Sequence, residues 1–480
     1  MNRILRLGAK ALASGIIVSL VAGCRVGPRY QKPVVALQPY HSAPTIQPLG
    51  STESTSLDVW WTGFHDPELT KLVEQVLRQN LDLAASYARV QQANATAKAA
   101  GAQLAPTASL NAQSNSFRQS LESQVGRYAG AFPDFSRNQS YLDLGIAASW
   151  EIDLFGGLRR GAEAATAEAQ VAEAQHLGTR VSLVAETADA YMQVRGAQAR
   201  LMFAREQIDT DEHLLRLVKQ RRTAEVASDR ELAQAEAVLY QARATVPPLL
   251  TTLEAQKNRL DVLAGVQPGT LSAELETGTD FPAIPPLSGY NDASDLLRRR
   301  PDVVAAERKL AASNARIGQA LAEYYPKISL SALLGSESIN PGDLFRERGF
   351  QPSAVAGLRW RLFDFGRVDA EVKQARGANA EALAAYRESI LRAAEDVENS
   401  FTVLAQSQAR AQEVRREIDS LQRVKDRSQE AYQAGVIALT DVLDADRQLL
   451  VAHDDLALAR ENAARAAVGS FRALGGGWKP

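Results

Sequence analysis

The chain contains one sequence pattern twice, and this internal repeat limits its fold more than any other feature. Residues 106–110 (PTASL) recur as residues 326–330 (PKISL), which defines a first offset, from position 106 to position 326. From Trp150 onward a shorter second offset applies, from position 150 to position 360, because the first copy carries the longer insert. The two copies cover residues 60–265 and 291–475, so the fold must be built from one unit used twice.

Each copy predicts the same order of elements: a helix, two strands, a long helix, a turn and a second helix. Residues 140–154 (SYLDLGIAASWEIDL) alternate between apolar and polar side chains, which is the period of a β-strand. Residues 158–222 contain no proline and predict a helix of about 65 residues, and residues 367–433 predict a helix of similar length.

Shorter helices are predicted over residues 229–265 and 293–325. Two consecutive prolines, Pro247 and Pro248, are expected to interrupt the first of these helices and kink it. Residues 266–290 predict an equatorial linker between the two copies, and residues 476–480 predict a C-terminal tail.

The predicted strands have one apolar face and one charged face. Such strands belong either to a sheet over a core or to a barrel with lipid outside and water inside. The helices are poor in Leu, Ile and Phe and offer little cover for an open sheet, which favours the barrel. Four strands per chain are too few to close a barrel, for which about eight is the minimum, and open strand edges cannot face lipid. The chain must therefore combine its strands with copies of itself.

The charged face would line the lumen of such a barrel and keep it wet, whereas in a sheet over a core the same residues would simply face solvent. The candidate lumen residues are Asp143, Glu151, Asp153, Lys327, Arg359 and Arg361. On the opposite face, Trp150 and Trp360 are either aromatic anchors at a membrane interface or ordinary strand residues.

The amino terminus has the features of a lipoprotein signal peptide. Residues 1–23 combine an early basic region with an apolar run, and residues 21–24 (VAGC) resemble the sequence that lipoprotein signal peptidase recognises. Cys24 is the only cysteine in the chain, so it is either a lipid attachment site or an incidental residue of an ordinary signal peptide. The proline-rich residues 24–59 predict an extended tether from the lipid.

Several classes of function are excluded by composition and spacing. Lys and Arg number 54 and Asp and Glu number 56, so no excess of positive charge indicates a nucleic-acid partner. The five histidines are scattered without metal-ligand spacing, and no glycine-rich nucleotide loop occurs. The sequence therefore predicts neither an enzyme nor a bound cofactor.

Several motifs resemble the TolC-like outer-membrane efflux proteins, specifically the lipid-anchored NodT branch that serves resistance-nodulation-division pumps. They are residues 26–28 (VGP), 60–61 (WW), 80–83 (NLDL) and 300–303 (RPDV). The resemblance implies a mainly α protein with a transmembrane β-barrel: four strands per protomer join a homotrimeric twelve-stranded barrel, continued by a long α-helical coiled-coil tunnel in the periplasm. It also implies contact with outer-membrane lipid, a periplasmic adaptor (membrane fusion) protein and an inner-membrane resistance-nodulation-division pump, with no cofactor.

The same resemblance places Tyr432, Gly435, Asp444 and Arg447 near the narrow periplasmic end of the channel. A ring of three Asp444 carboxylates would focus negative potential across the pore, and links to Arg447 or Tyr432 would hold helices shut until an adaptor competes for them. The alternative is that Asp444 is a solvated charge on a coiled coil.

The two predicted turns, residues 224–228 and 434–439, carry different residues at matching positions. Glu225 corresponds to Gly435, and Glu231 corresponds to Asp441. Because glycine adopts backbone conformations that other residues avoid, the turns are expected to differ in conformation. Adaptor contact is expected at residues 224–231 and 434–441.

The sequence thus predicts a passive exit duct for small molecules such as drugs, toxic compounds or metals, in the outer membrane and extending into the periplasm. One alternative is the exit duct of a type I protein secretion system, which differs in partner and cargo. Another is a lipid-anchored periplasmic coiled-coil scaffold, which leaves the four alternating strands unexplained.

Overall fold

The computed structural model describes residues 25–35, 38–42, 56–276, 281–287 and 299–479. Cys24 and the predicted signal peptide lie outside the described residues. The chain divides into two compact units, each drawn from three stretches of sequence. Unit 1 takes its described residues from 1–33, 91–170 and 307–384, and unit 2 takes them from 34–90, 171–306 and 385–480.

The helices and strands that the two copies share follow the same order. Copy one contains α1 (Pro67–Gln79), α2 (Leu81–Ala102), β1 (Thr107–Arg118), α3 (Gln124–Ala129), β2 (Asn138–Ile152), α4 (Gly157–Thr223) and α5 (Asp229–Leu263). Copy two contains α6 (Pro301–Ala322), β3 (Lys327–Ser338), β4 (Ser353–Arg359), α7 (Arg367–Gln433) and α8 (Leu439–Ala473). Copy one therefore has two further described helices, α1 and α3. A 3-10 helix, Leu57–Phe64, precedes α1.

The long helices are confirmed. Helices α4 and α7 have 67 residues each, and α5 and α8 have 35 residues each. None of the helices that the structure describes has an apolar stretch long enough to cross a lipid bilayer.

The predicted interruption of α5 at Pro247 and Pro248 was wrong, because the helix is continuous across both residues. The prolines remove the amide donors that would reach the carbonyls of Arg243 and Ala244, and both of those residues are exposed. Water can therefore satisfy the two carbonyls. Leu249, the residue directly after Pro248, is buried.

The four strands form one antiparallel sheet in the order β1-β2-β3-β4, and it belongs to unit 1. Thr107 of β1 lies opposite Ser149 of β2. Further along the sheet, Lys327 of β3 lies opposite Arg359 of β4.

The core of each unit lies among helices. In unit 2 the ring of Trp60 stacks on that of Phe471 with centroids 5.0 Å apart. In unit 1, Ala167 packs with Ala311 and Ala312. Small buried alanines let helix backbones approach closely.

Candidate functional site

One face of the sheet is apolar, and the described residues do not cover it. Leu110, Ile146 and Leu334 lie side by side on β1, β2 and β3 and are 70%, 52% and 60% exposed. Apolar surface left in water forgoes about 25 cal/mol for each square ångström that could be buried. A contiguous surface of this kind therefore marks contact with lipid or with another protein chain.

The opposite face of the sheet carries charged residues. Asp143 and Glu151 belong to β2, Lys327 to β3 and Arg359 to β4. The ammonium group of Lys327 pairs with the carboxylate of Glu323, at the end of the preceding helix. The structure thus places four of the six candidate lumen residues in strands, and their contact with a water-filled lumen stays a prediction.

The other two candidate lumen residues, Asp153 and Arg361, lie just beyond the ends of β2 and β4, so their assignment to strands was wrong. The Asp153 carboxylate accepts hydrogen bonds from the amides of Leu158 (3.2 Å) and Arg159 (2.8 Å), where it caps the start of α4. Arg361 pairs with Glu323 at 3.2 Å. The alternating pattern continues past the strands, but these two side chains are held by partners at helix ends.

The two tryptophans connect strands to helices in both copies. Trp150 donates its indole N–H to the carbonyl of Leu104 at 2.9 Å, and Trp360 donates to that of Tyr324 at 3.0 Å. The acceptors follow the ends of α2 and α6, so the contact repeats with the sequence. Both residues remain 37% or more exposed, and their role as membrane anchors stays a prediction.

The turns at residues 224–228 and 434–438 share a left-handed residue and one hydrogen bond, so the predicted difference was wrong for Glu225 and Gly435. Glu225 has a φ of +56° and Gly435 has a φ of +74°. In both turns the following amide, that of Val226 or of Val436, donates to the carbonyl five positions back at 2.9 Å. Glu225 adopts the left-handed conformation because the pattern of turn hydrogen bonds over-determines it.

The residues after the turns differ in how they start the next helix. Glu231 accepts the amide of Ser228 at 2.7 Å, while the Ser228 hydroxyl accepts the amide of Glu231 at 3.3 Å. These hydrogen bonds hold the pKa of Glu231 below its usual range. In the second turn Asp441 accepts the amide of Ala438 at 3.2 Å, and alanine offers no hydroxyl in return.

The predicted gate residues are partly brought together. Asp444 accepts from Arg447 at 2.9 Å and from Gln448 at 2.6 Å, and Arg447 holds the pKa of Asp444 below its usual range. All three lie on α8, so this link does not join two helices of the chain. Tyr432 contacts a different group, because its ring lies 5.1 Å from the guanidinium of Arg221. The gate therefore stays a prediction.

A family model described as "Outer membrane efflux protein" matches residues 72–266 and 293–476. The chain belongs to the outer membrane efflux protein family. The pyoverdine export outer membrane protein OpmQ of Pseudomonas aeruginosa is 33% identical over 435 residues, covering 90% of each chain. Nodulation protein T of Rhizobium leguminosarum bv. trifolii is 28% identical and covers 96% of each chain. The solved outer-membrane channel OprN matches with a TM-score of 0.87 and 33% identity, over 95% of this chain and 100% of that chain.

These findings confirm the resemblance and the predicted fold class. The efflux chain is mainly α-helical, contributes four antiparallel strands and shares its fold with solved outer-membrane channels. The family consists of efflux channels and is not a family of enzymes. Within the described ranges, no group of three His, Cys, Asp or Glu residues is placed to hold a metal ion.

The matching motifs at residues 80–83 and 300–303 hold the ends of helices in this efflux protein. Asn80 donates to the carbonyl of Leu263, near the end of α5, at 2.8 Å. Arg300, at the same position of copy two, donates to the carbonyl of Ala473, at the end of α8, at 3.1 Å. Different side chains thus satisfy the same orphan carbonyl positions.

Sequence reasoning missed a buried polar cluster in unit 2. Gln207 of α4 donates to both Asp211 (2.8 Å) and Asp446 (3.1 Å), and Lys425 pairs with Asp446. The second carboxylate oxygen of Asp211 has no hydrogen-bond partner among the described residues. Burial, reinforced by the charge of Asp446, raises the pKa of Asp211 to about 6 from its usual 3.8. No local pattern could have revealed this cluster, because its members come from α4, α7 and α8.

A second missed feature is the docking of the segment that follows Cys24. Arg160 of α4 is 1% exposed and donates to the carbonyls of Val26 (3.2 Å), Gly27 (3.1 Å) and Pro28 (2.8 Å). The amide of Val26 donates to the carbonyl of Phe155 at 3.1 Å. The start of the predicted tether is therefore fastened to unit 1.

Proposed function

We propose that three copies of this chain form the outer-membrane exit duct of a tripartite efflux pump, a passive channel through which small molecules leave the periplasm. The observation that carries the proposal is the uncovered apolar face of a four-stranded sheet on a chain of the efflux family. Four strands cannot close a barrel, whereas three copies supply twelve, and closure removes the sheet edges that lipid cannot satisfy.

The cargo is a small molecule, as the relatives' names suggest. The relative from Pseudomonas aeruginosa is named for pyoverdine export, and another, from Pseudomonas putida, is named for a toluene efflux pump. A passive duct needs no cofactor of its own, because an inner-membrane pump of the resistance-nodulation-division class supplies the energy.

A periplasmic adaptor joins the pump to the duct at residues 224–231 and 434–441. Val226 and Val436 occupy matching positions in the two turns and are 63% and 75% exposed, so each turn presents an apolar contact. Cysteines at these positions should crosslink to the adaptor in the purified assembly, and a cysteine at the exposed Val403 of α7 is the control. Equal crosslinking from Val403 would contradict adaptor contact at the turns.

We propose that the chain carries its lipid anchor on Cys24. The intact mass of the mature chain should include acyl groups on an amino-terminal cysteine, and Cys24→Ser should remove them. A mature chain without the added mass of acyl groups would refute the lipid anchor, but it would not contradict the proposed channel.

The whole proposal is tested by the mass of the purified protein in detergent together with its conductance in planar lipid bilayers. A trimer that gives discrete conductance steps is the expected result. A non-conducting monomer would overturn the duct and favour a periplasmic scaffold.

A further inference from the structure

The sheet ends in two edges that no described strand covers. The strand order β1-β2-β3-β4 leaves β1 and β4 each with one strand neighbour. An edge of this kind exposes a row of backbone donors and acceptors and pairs readily with another chain. The internal repeat supplies a rule for which residues of the two edge strands would pair between neighbouring subunits.

The repeat offsets reproduce the pairing inside each copy. The first offset moves Thr107 of β1 onto Lys327 of β3, and the second moves Ser149 of β2 onto Arg359 of β4. Thr107 pairs with Ser149, and their images Lys327 and Arg359 are an observed pair as well. The offsets also carry one tryptophan contact to the other, since Trp360 contacts the image of Leu104. The two copies therefore obey the same register.

Strand β2 of copy one pairs with β3 of copy two within the chain. In a closed ring of subunits, the same kind of pairing is expected where copy two of one subunit meets copy one of the next. In a closed assembly each copy two is followed by copy one of the next chain, and equivalent edges meet in equivalent ways. Adding the second offset (150 to 360) to the number of a β2 residue gives the matching residue of β4. Subtracting the first offset (106 to 326) from the number of a β3 residue gives the matching residue of β1. The observed pair Gly145↔Gly335 becomes Val355 with Asn115 of the partner subunit.

We infer that β4 of one subunit pairs antiparallel with β1 of the next in this one register, with Val355 opposite the partner's Asn115. Leu358 then lies opposite the partner's Ala112, and Arg359 opposite the partner's Asn111. The register keeps Leu358 and the partner's Ala112 on one apolar face, as the period of two requires. The inference deepens the proposed function and rests on it, since it specifies how the subunits of the duct join.

The same rule accounts for a fully exposed aromatic residue beyond β4. In copy one, Phe155 stacks on Tyr325 of copy two with centroids 4.5 Å apart. The corresponding residue, Phe365, is 103% exposed and has a φ of +53°. The offsets place Phe365 against Ala105 of the partner subunit, so the neighbouring subunit would cover the exposed ring.

The register is tested by oxidative crosslinking of paired cysteines in the detergent-solubilised full chain. The variant that carries Val355→Cys and Asn115→Cys should give covalently linked trimers on a denaturing gel. Shifted variants combine Val355→Cys with Gln113→Cys or with Phe117→Cys and keep both cysteines on the same face. A shift of two positions adds about 6.6 Å along the strand and brings the Cα separation to about 8 Å, beyond the roughly 7 Å that a disulfide spans.

Three controls make the result specific. Each single-cysteine variant shows whether Cys24 contributes to crosslinking. Leu144→Cys with Ser336→Cys, neighbours within the chain, shows that the oxidant reaches the sheet without linking subunits. Phe365→Ala should lower the temperature at which the trimer dissociates, and Phe345→Ala, an exposed loop phenylalanine, should not.

The outcomes separate the inference from the function. Preferential crosslinking of Val355 with Asn115 supports the register. A conducting trimer that crosslinks best in a shifted variant, or in none, refutes the register and leaves the duct standing. A protein that neither trimerises nor conducts refutes both.

Discussion

At the scale of single residues, the first turn shows how context overrides preference. Glu225 adopts the left-handed conformation that its counterpart Gly435 adopts without strain. A residue with a Cβ atom loses about 1–2 kcal/mol in this region, while glycine is more flexible in the unfolded chain. The turn tolerates the strain because the helices on both sides are long and packed.

Relieving this strain should stabilise the protein. Glu225→Gly is expected to raise the free energy of unfolding by about 0.5–1 kcal/mol, the balance of the relieved strain and the added chain entropy. Thermal unfolding of the trimer in detergent measures the change. Val226→Gly adds the same flexibility without relieving a positive φ, so it should not stabilise. A gain in both variants would contradict the explanation.

The buried carboxylate Asp211 should make stability depend on pH. Its pKa is raised from 3.8 to about 6, so the folded state binds this proton more tightly than the unfolded state. The contribution is fully present below about pH 4 and is lost as the pH rises through about 6. Asp211→Asn should therefore stabilise the protein by about 1–3 kcal/mol at pH 7.5 and by little at pH 4.

Thermal unfolding between pH 4 and 8 measures this difference between Asp211→Asn and the parent. Asp209→Asn, an exposed position on the same helix, is the control and should follow the parent at every pH. An equal stabilisation by Asp211→Asn at pH 4 and at pH 7.5 would show that packing, and not ionisation, is responsible.

The proposed gate predicts a change in conductance from one carboxylate. In the proposed gate, three Asp444 carboxylates would ring the constriction and would each hold an Arg447 side chain there, which narrows the pore. Asp444→Ala should therefore raise the single-channel conductance. Glu413→Ala removes a matching pair of α7, in which Arg416 lies 2.7 Å from Glu413, and should leave conductance unchanged. Equal effects of both variants would assign Asp444 to the solvated surface of the coiled coil.

At the scale of elements, the helices are stabilised by hydrogen bonds at their ends as well as by the packing of their buried faces. Asp153 caps α4, and Asn80 and Arg300 hold the last carbonyls of α5 and α8. Helix α4 also fastens the amino-terminal segment through Arg160. Such contacts join segments that lie far apart in the sequence.

Removing the Arg160 guanidinium should release the segment that follows Cys24. Hydrogen bonds that involve a charged group contribute about 1.5–3 kcal/mol, so Arg160→Ala should speed amide exchange of residues 25–30 by at least about tenfold. Hydrogen exchange followed by mass spectrometry measures it. Arg316→Ala breaks an exposed pair with Glu168 and serves as the control; unchanged exchange in Arg160→Ala would refute the docking role.

At the scale of the whole molecule, the uncovered face of the sheet decides where the chain can reside. A soluble sheet would bury this face, whereas in a closed barrel it would meet lipid. The family and the sheet therefore point to the same location, the outer membrane.

A charge on the apolar face should block membrane assembly. Ile146→Lys places an ammonium group among Leu110 and Leu334 and should cost about 2–4 kcal/mol for each subunit in the bilayer. Ser149→Lys lies on the opposite face of the same strand and should be tolerated. The yield of trimer in the outer-membrane fraction measures both, and equal yields would show that the face does not contact lipid.

The repeat, the order of elements and the length of the long helices follow from the amino-acid sequence alone. These features are local, because periodicity and the absence of proline act within one segment. The charged faces of the strands were predicted for the same reason, as with Asp143 and Lys327.

Features that depend on contacts between distant segments required the folded chain. Asp153 and Arg361 fit the strand pattern but are held by helix ends. Helix α5 continues through Pro247 and Pro248, because the residues whose carbonyls lose a donor are exposed. The pKa of Asp211, on α4, depends on Asp446, which belongs to α8 in the other copy of the repeat. Burial and partner geometry arise only when such segments pack together, and no local pattern encodes them.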